Sequence, residues 1–413
     1  MKYGLIGERL SHSFSKEIHE ALGGYEYEIV EIERDALDAF MKNKDFLAIN
    51  VTIPYKEAVI PYLDFVSDKA RAIGAVNTIV NRDGKLFGYN TDFSGMTDLI
   101  NKAKIEIKDK KALILGTGGT SKTALAVLSA LGASEIVLVG RSEREGVITY
   151  DEAYEKHTDA AVIVNTTPVG MYPNIWDCPV DISAFERLEG IIDAVYNPIN
   201  TTLVKNARAR GIKAEGGLYM LVAQAMIASE TFLDENGNSH PSLIEKMYNE
   251  IRASKENIVL VGMPASGKTT VGKILQKKLD KKFVDTDYII TQRIGMSIKD
   301  FFALHGEEKF RDIESQVIKE LADKSSLIIA TGGGAILREE NISALKYNGK
   351  IFFIDRPIDK LMPTKSRPLA SDKEAIEKRY NERYSIYCGC CDAKIAAEGE
   401  SAEVAEKILE NYR

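Results

Sequence analysis

Two glycine-rich turns, GTGGTS at 116–121 and GMPASGKTT at 262–270, each follow a short apolar run, and this arrangement limits the fold of the chain more than any other feature. Where side chains are missing at a strand-to-helix turn, backbone amides and the positive end of the helix can hold phosphate. The first spacing is that of a dinucleotide-binding turn, and the second matches GxxxxGK(S/T), the P-loop of nucleoside-triphosphate sites. The chain is therefore expected to carry two nucleotide sites of different kinds.

Around both turns, apolar runs alternate with amphipathic stretches, the pattern of βαβ units, so the fold class is α/β. Strands are predicted at 2–6, 27–32, 48–53, 75–80 and 85–89, with helical stretches such as 16–22 and 69–73 between them. From residue 111 the runs KALIL, EIVLV, AAVIV and GIIDAV describe a doubly wound parallel sheet. The polar stretch 234–240 and the charged helical stretch 243–253 lead to a boundary near Ser254. Further strands follow at 282–284, 327–330 and 350–354, and a helix at 402–412 closes the chain. This gives a substrate lobe over 1–100, a Rossmann-like nucleotide lobe with its closing helices over 101–253, and a P-loop α/β domain with a central parallel sheet over 254–413. At about 100–200 residues per domain, 413 residues suit two or three.

Charge and composition exclude several functions. A net charge of −7, with acids and bases evenly mixed, gives no basic surface for nucleic acid. No run approaches the roughly 18 apolar residues that a membrane span needs, and the start MKYGLIGERL lacks a signal-peptide core. A cytoplasmic protein acting on small molecules is expected. Cys388, Cys390 and Cys391 cluster, but Cys178 and His305 lie in distant segments, so the cysteines are read as reduced thiols. His12 and His19 are read as ordinary helix or loop residues.

In the first nucleotide turn, Gly116, Gly118 and Gly119 would approach a pyrophosphate. The strand EIVLVG then ends in Arg141 and Ser142, where an NAD site would carry an acidic residue for the ribose. A guanidinium and a hydroxyl suit a 2′-phosphate, so NADP(H) is the expected cofactor. Four segments upstream, SHSFS at 11–15, NVTIPYK at 50–56, GAVNT at 74–78 and GYNTDFSG at 88–95, carry polar groups at strand ends. Ser13, Ser15, Thr52 and Asn77 can bind hydroxyls or a carboxylate, and Lys56 with Asp92 can move a proton during carbonyl reduction.

Together with NTTPVGM at 165–171, DAVYNPINTTL at 193–203 and GGLYMLVAQA at 216–225, these segments resemble shikimate dehydrogenase over about the first 240 residues. The resemblance implies NADPH-dependent reduction of 3-dehydroshikimate to shikimate. It makes Lys56 and Asp92 the catalytic pair and assigns Ser13, Ser15, Thr52, Asn77, Asp92, Tyr196 and Gln224 to the substrate. The cofactor set it implies is Gly116, Thr117, Gly118, Gly119, Thr120, Arg141, Ser142 and Arg144, with Ala194 and Gly217 at the nicotinamide end. Thr117 stands where the family usually has alanine, and Lys16 where it has proline.

The second loop is the stronger motif. Its backbone from Ala265 through Ser266, Gly267 and Lys268 to Thr270 would wrap the phosphates of ATP, with Lys268 reaching the β- and γ-phosphates and Thr269 ligating Mg2+. Downstream stand FVDTD at 283–287, FRDIE at 310–314, TGGGA at 331–335, RPL at 367–369 and RYSIY at 383–387. Arg311 and Arg383 can hold a carboxylate in bidentate fashion, and Asp287 can deprotonate a hydroxyl for in-line attack. In this order the motifs resemble shikimate kinase over about 257–412. The resemblance implies that Asp285 joins Thr269 at the metal and that Asp287, Arg311, Gly333 and Arg383 bind shikimate. Arg367 would close over ATP and the transferring phosphoryl, and Glu314 would orient Arg311.

The leading reading is thus a bifunctional enzyme whose first product is its second substrate. A second reading is an NAD-using quinate or shikimate dehydrogenase joined to a kinase for another small polyol acid. A third is a metabolite-sensing regulatory protein with one inactive domain.

Overall fold

Apolar runs form parallel strands here wherever helices cover both faces of a sheet. The computed structural model describes residues 1–10, 13–235, 240–361 and 373–412, which divide into two units, Met1–Ile251 and Arg252–Arg413. The first unit opens with β1 (Tyr3–Gly7), α1 (Ser15–Gly23), β2 (Glu28–Glu31), α2 (Leu37–Asn43), β3 (Ala48–Val51), β4 (Phe65–Val66), α3 (Asp68–Ile73), β5 (Thr78–Arg82), β6 (Lys85–Tyr89) and α4 (Asp92–Ala103). These strands form a mixed sheet in the order β2-β1-β3-β5-β6-β4. β1 pairs in parallel with β2 and β3, while β5 runs antiparallel to both β3 and β6. The β5–β6 turn passes through Asp83 and Gly84, both at positive φ (52° and 80°), the backbone that a two-residue hairpin requires.

The second sheet of this unit contains β7 (Lys111–Leu115), α5 (Gly119–Ala130), β8 (Glu135–Gly140), β9 (Val147–Thr149), α6 (Tyr150–Lys156), β10 (Val162–Asn165), β11 (Gly190–Asp193), α7 (Thr202–Ala209) and β12 (Lys213–Glu215). All its pairings are parallel, in the order β12-β11-β10-β7-β8-β9. Residues alternate between its faces. Leu113, Leu115 and Ile163 join one core cluster, and Ala112, Ile114, Val162 and Val164 join the other. α8 (Leu218–Leu233) is apolar nearly all round and buries accordingly. At Gly95 of α4 a Cβ would stand 2.8 Å from the Met220 carbonyl oxygen, so glycine lets α4 and α8 approach closely. In α9 (Pro241–Lys255), Ile244, Met247, Tyr248 and Ile251 belong to the same cluster as α8.

The second unit contains β13 (Asn257–Val261), α10 (Lys268–Lys278), β14 (Lys282–Asp285), α11 (Thr286–Ile294), α12 (Ile298–Ala322), β15 (Leu327–Ala330), α13 (Glu339–Leu345), β16 (Gly349–Asp355), α14 (Lys373–Cys390), β17 (Ala393–Ala396) and α15 (Ser401–Tyr412). Its five strands are parallel, in the order β14-β15-β13-β16-β17. α12 kinks at Gly306, where φ is 82°. Among the described residues no helix is long and apolar enough to cross a membrane.

Two predicted strands end differently in the structure. The run at 75–80 becomes strand only from Thr78, because α3 stops at Gly74 (φ 72°) and Asn77 is tied to the start of α4. The run at 48–53 ends at Val51, ahead of Pro54, which has no amide to donate. His19 lies fully buried on α1, its ring stacked on Tyr27 at 4.1 Å, and burial pulls its pKa down to about 3. His12 and residues 236–239 of the polar stretch lie outside the described residues.

Because Leu113 is fully buried in a strand paired on both sides, Leu113→Ala should cost about 2–5 kcal/mol in urea unfolding followed by circular dichroism. A loss below about 1 kcal/mol would contradict this packing.

Candidate functional site

The first site lies where the strand order of the second sheet reverses. β7 sits between β10 and β8, so the loops leaving β7 and β10 diverge and open a crevice at their C-terminal ends. Gly116 turns the chain there at φ 108°, and a Cβ on it would lie 2.7 Å from Thr166 Oγ1. Gly118 borders open space, and Gly119 begins α5 against Lys56: a Cβ on Gly119 would stand 3.3 Å from Lys56 Cβ. The phosphate-type turn thus packs directly on the residue expected to move a proton. Thr117 reaches the end of β8, its methyl 3.4 Å from where a Cβ on Gly140 would lie. Arg141, Ser142 and Arg144 follow β8 on the surface, and Arg141 makes no ion pair among the described residues. Open space above the turn and an unpaired guanidinium beyond it fit a dinucleotide bearing an extra phosphate.

Lys56 Nζ donates to Asp92 Oδ2 at 2.6 Å, and both residues are buried. Asp92 is the first residue of α4, where the helix N-terminus favours its negative charge. Beside this pair runs a chain of buried polar groups. The Thr91 amide donates to Asn77 Oδ1 at 2.8 Å, Asn77 Nδ2 donates to Thr91 Oγ1 at 2.9 Å, and Gln224 Oε1 accepts from Thr91 Oγ1 at 3.3 Å and from Asn77 Nδ2 at 3.4 Å. Asn50 and Tyr27 extend the chain: Asn50 Nδ2 donates to Thr78 Oγ1, and Tyr27 OH to Asn50 Oδ1 at 2.7 Å. On the other side, the Ser15 amide donates to Ser13 Oγ at 3.2 Å, the Phe14 and Tyr196 rings meet at 5.2 Å, and Ser13 hydrogen-bonds Tyr196. Burial raises the Tyr196 pKa, and the Ser13 contact opposes that shift. Thr52 stands four residues before Lys56, and its hydroxyl has no bond to this network among the described residues.

The loop after β11 is held by residues that motif reading passes over. Asp193 is fully buried; its Oδ1 accepts from Asn165 Nδ2 at 2.9 Å and from the Val195 amide at 3.0 Å, and its Oδ2 accepts from Thr201 Oγ1 at 2.7 Å. Burial lifts its pKa to about 6, against these three hydrogen bonds. This fixes Ala194, whose carbonyl lies so close to Gly217 that a side chain at 217 would collide with it. The structure thereby brings together the two residues expected at the nicotinamide end. Asn165 and Asp193 both fall inside segments singled out above. Asn and Asp at strand ends read equally well as turn residues, and only burial distinguishes these.

The second site follows β13, between β15 and β16, again where the strand order reverses. Gly262 (φ 148°), Ala265 (φ 67°) and Gly267 (φ 98°) bend the loop. Lys268 Nζ folds back onto it and donates to the Gly262 and Met263 carbonyls at 2.8 and 2.9 Å. Ser266 Oγ is buried without a hydrogen-bond partner among the described residues. Thr269 Oγ1 donates to Asp285 Oδ2 at 2.8 Å, placing a hydroxyl and a carboxylate oxygen side by side, a donor set that suits Mg2+. Asp285 Oδ1 also accepts the Asp287 amide at 3.0 Å, capping α11.

Past the kink at Gly306, α12 presents Arg311, whose guanidinium donates to Glu314 Oε2 at 2.6 Å and Glu307 Oε1 at 2.8 Å. Burial raises the Glu314 pKa while Arg311 opposes the rise, and Glu314 Oε1 is buried without a partner among the described residues. A Cβ on Gly332 would lie 2.7 Å from both that oxygen and Asp287 Oδ1, so only glycine lets this strand-end turn pass between the two acids. Arg383 donates to the Gly333 carbonyl at 3.0 Å, and Tyr387 OH to the same oxygen at 2.6 Å. The structure thus gathers Asp287, Arg311, Glu314, Gly333 and Arg383 around one turn. Tyr387 had no signal in the sequence beyond lying in RYSIY. Arg367 lies outside the described residues. All four cysteines are free thiols; Cys390 is buried, which pushes its pKa up to about 11.

Comparison with known proteins bears on both units. Residues 5–79 match the shikimate dehydrogenase substrate binding domain, and residues 264–413 match shikimate kinase. The shikimate dehydrogenase (NADP(+)) of Clostridium beijerinckii is 42% identical over 247 residues, covering 55% of this chain and 90% of that protein. Among solved structures, shikimate dehydrogenase 1 from Peptoclostridium difficile is 38% identical with a TM-score of 0.56, covering 61% of this chain and 98% of its own. The shikimate 5-dehydrogenase from Thermus thermophilus, solved with NADP(H) and shikimate, is 28% identical with a TM-score of 0.53, covering 61% of this chain and 99% of its own.

Since the folded-state pKa of Asp193 lies above its ordinary value of 3.8, its contribution to stability is greatest below about pH 4 and is lost as pH rises through about 6. The difference in unfolding free energy between the native chain and Asp193→Asn should therefore change between pH 4 and 6 in the native chain's favour toward acid. Denaturant titrations at several pH values test this, and a difference independent of pH would refute the raised pKa.

Proposed function

Because the chain belongs to the shikimate dehydrogenase family and carries a shikimate kinase domain, we propose that it reduces 3-dehydroshikimate to shikimate with NADPH and then phosphorylates shikimate with ATP and Mg2+. The observation that carries the first half is the buried Lys56–Asp92 pair lying against the nucleotide turn at Gly119. When bound, NADPH supplies the hydride that reduces the carbonyl carbon. Lys56 polarises the carbonyl oxygen and delivers a proton to it, Asp92 holds the ammonium in place, and water returns a proton to the amine afterwards. Ser13, Ser15, Thr52, Asn77, Tyr196 and Gln224 hold the ring hydroxyls and carboxylate. Gly116, Thr117, Gly118, Gly119 and Thr120 hold the pyrophosphate, Arg141, Ser142 and Arg144 the 2′-phosphate, and Ala194 and Gly217 the nicotinamide end.

In the second half, Arg311 and Arg383 grip the shikimate carboxylate, and Glu314 fixes Arg311. Asp287 takes the proton of the attacking hydroxyl. Ala265, Ser266, Gly267, Lys268, Thr269 and Thr270 hold the phosphates, Arg367 closes over them, and Thr269 and Asp285 hold Mg2+. Together they neutralise charge on the transferring group. Residues 1–100 form the substrate lobe, 101–253 the NADP lobe and 254–413 the kinase domain. The setting is cytoplasmic, and the ligands are small molecules rather than nucleic acid.

Supplied with 3-dehydroshikimate, NADPH, ATP and Mg2+, the protein should produce shikimate 3-phosphate in a coupled assay; no product with either NADPH or NADH would sink the proposal. Lys56→Ala should lower dehydrogenase turnover by about 100-fold or more while sparing phosphorylation of added shikimate. Lys268→Ala should do the reverse. If either change alone removed both activities from a folded protein, the two-site reading would be wrong.

A further inference from the structure

β16 ends beside the P-loop in Asp355, and the next residue is Arg356. Asp355 is already engaged: Tyr380 OH donates to it at 3.1 Å, and Lys394 Nζ stands 3.1 Å away. Arg356 Nε is buried without a hydrogen-bond partner, and Arg356 forms no ion pair among the described residues. One terminal nitrogen of its guanidinium lies 3.9 Å from the position a Cβ on Gly267 would occupy, and Ser401 Oγ, at the start of α15, lies 4.0 Å from the same point. Gly267 is the residue before α10, so the guanidinium faces the positive end of a helix.

This is an unfavourable place for such a group. A guanidinium stays protonated throughout the accessible pH range. An unpaired buried donor is destabilising, and the helix end adds repulsion. Arg356, Lys268 and the first amides of α10 are three positive features converging on one loop, with no carboxylate of the described residues bound to Arg356. An anion carrying several negative charges would satisfy all three at once. We propose that Arg356 is a further nucleotide-binding residue, its guanidinium closing on the polyphosphate chain of the nucleotide from the β16 side. The inference rests on reading the P-loop as the ATP site of the kinase domain.

The test compares the full-length native protein with Arg356→Gln and Arg356→Lys, using MgADP and adenosine as probes. For Arg356→Gln, the dissociation constant for MgADP and the KM for ATP should each rise by about tenfold or more, the scale of one charge-assisted contact, with a smaller change in kcat. Arg356→Lys should fall between, and thermal stability without nucleotide should stay level or rise, because no hydrogen bond or ion pair among the described residues is lost. Dehydrogenase turnover should be unchanged. The proposal is overturned if Arg356→Gln binds MgADP within about twofold of the native protein. It is equally overturned if adenosine binding weakens as much as MgADP binding, which would place the guanidinium on the base, or if the nucleotide-free protein melts lower in proportion to the lost affinity, which would make Arg356 structural. Native protein that fails to bind MgADP would instead refute the ATP reading itself.

Discussion

Both catalytic halves depend on one constraint: β7 and β13 are each paired on both edges and covered on both faces. Ala112, Leu113, Ile114 and Leu115, and likewise Ile258, Val259, Leu260 and Val261, are fully buried. Each Val, Leu or Ile among them contributes about 1.5–3 kcal/mol by leaving water, so neither strand can slip or turn over. Helices on both faces force the strand order to reverse beside each central strand. After β7 the Gly116 amide still donates to the Val139 carbonyl of β8 at 2.9 Å, and beyond it the loop leaves the sheet. The glycines at 116, 262 and 267 supply the positive-φ backbone that turns these loops.

Around these loops, polar groups sit where burial would normally penalise them. The chain linking Asn50, Thr78, Asn77, Thr91 and Gln224 meets that cost with hydrogen bonds between neighbours, and the Asn165–Asp193–Thr201 set does the same. Rigidity follows from full satisfaction. A donor in such a chain cannot leave its partner without leaving a buried group unpaired, so the polar groups of both sets are held in one arrangement. Ser266 Oγ, Arg356 Nε and Glu314 are exceptions: Glu314 has one carboxylate oxygen bonded to Arg311 and the other unpartnered among the described residues, as the other two atoms are.

Sequence periodicity makes the central strands legible because a strand buried on both faces must be apolar throughout, as in KALIL and NIVLV. The short outer strands β9, β12 and β17 escape it; KAE and AKIA each have only one buried residue and carry lysine. Glycine turns and paired charges are legible as chemistry because few other patterns need them: Lys56 and Asp92 stand 36 residues apart in sequence and meet in the fold. Residues whose part depends on burial alone are not. Thr91 reads as a helix cap, Asp193 as a turn, Tyr387 as core and Arg356 as a surface charge, until their neighbours are known. Arg367 remains on the strength of its motif.

The way Lys268 lies across its own loop bears on which anions can occupy that loop. Its ammonium is already solvated by two carbonyl dipoles, those of Gly262 and Met263. An incoming ligand must outcompete both, and a carbonyl dipole is weaker than a formal charge but is fixed at ideal distance at no further entropic cost. An anion that reaches Lys268 therefore exchanges against two backbone contacts that are in place before it arrives.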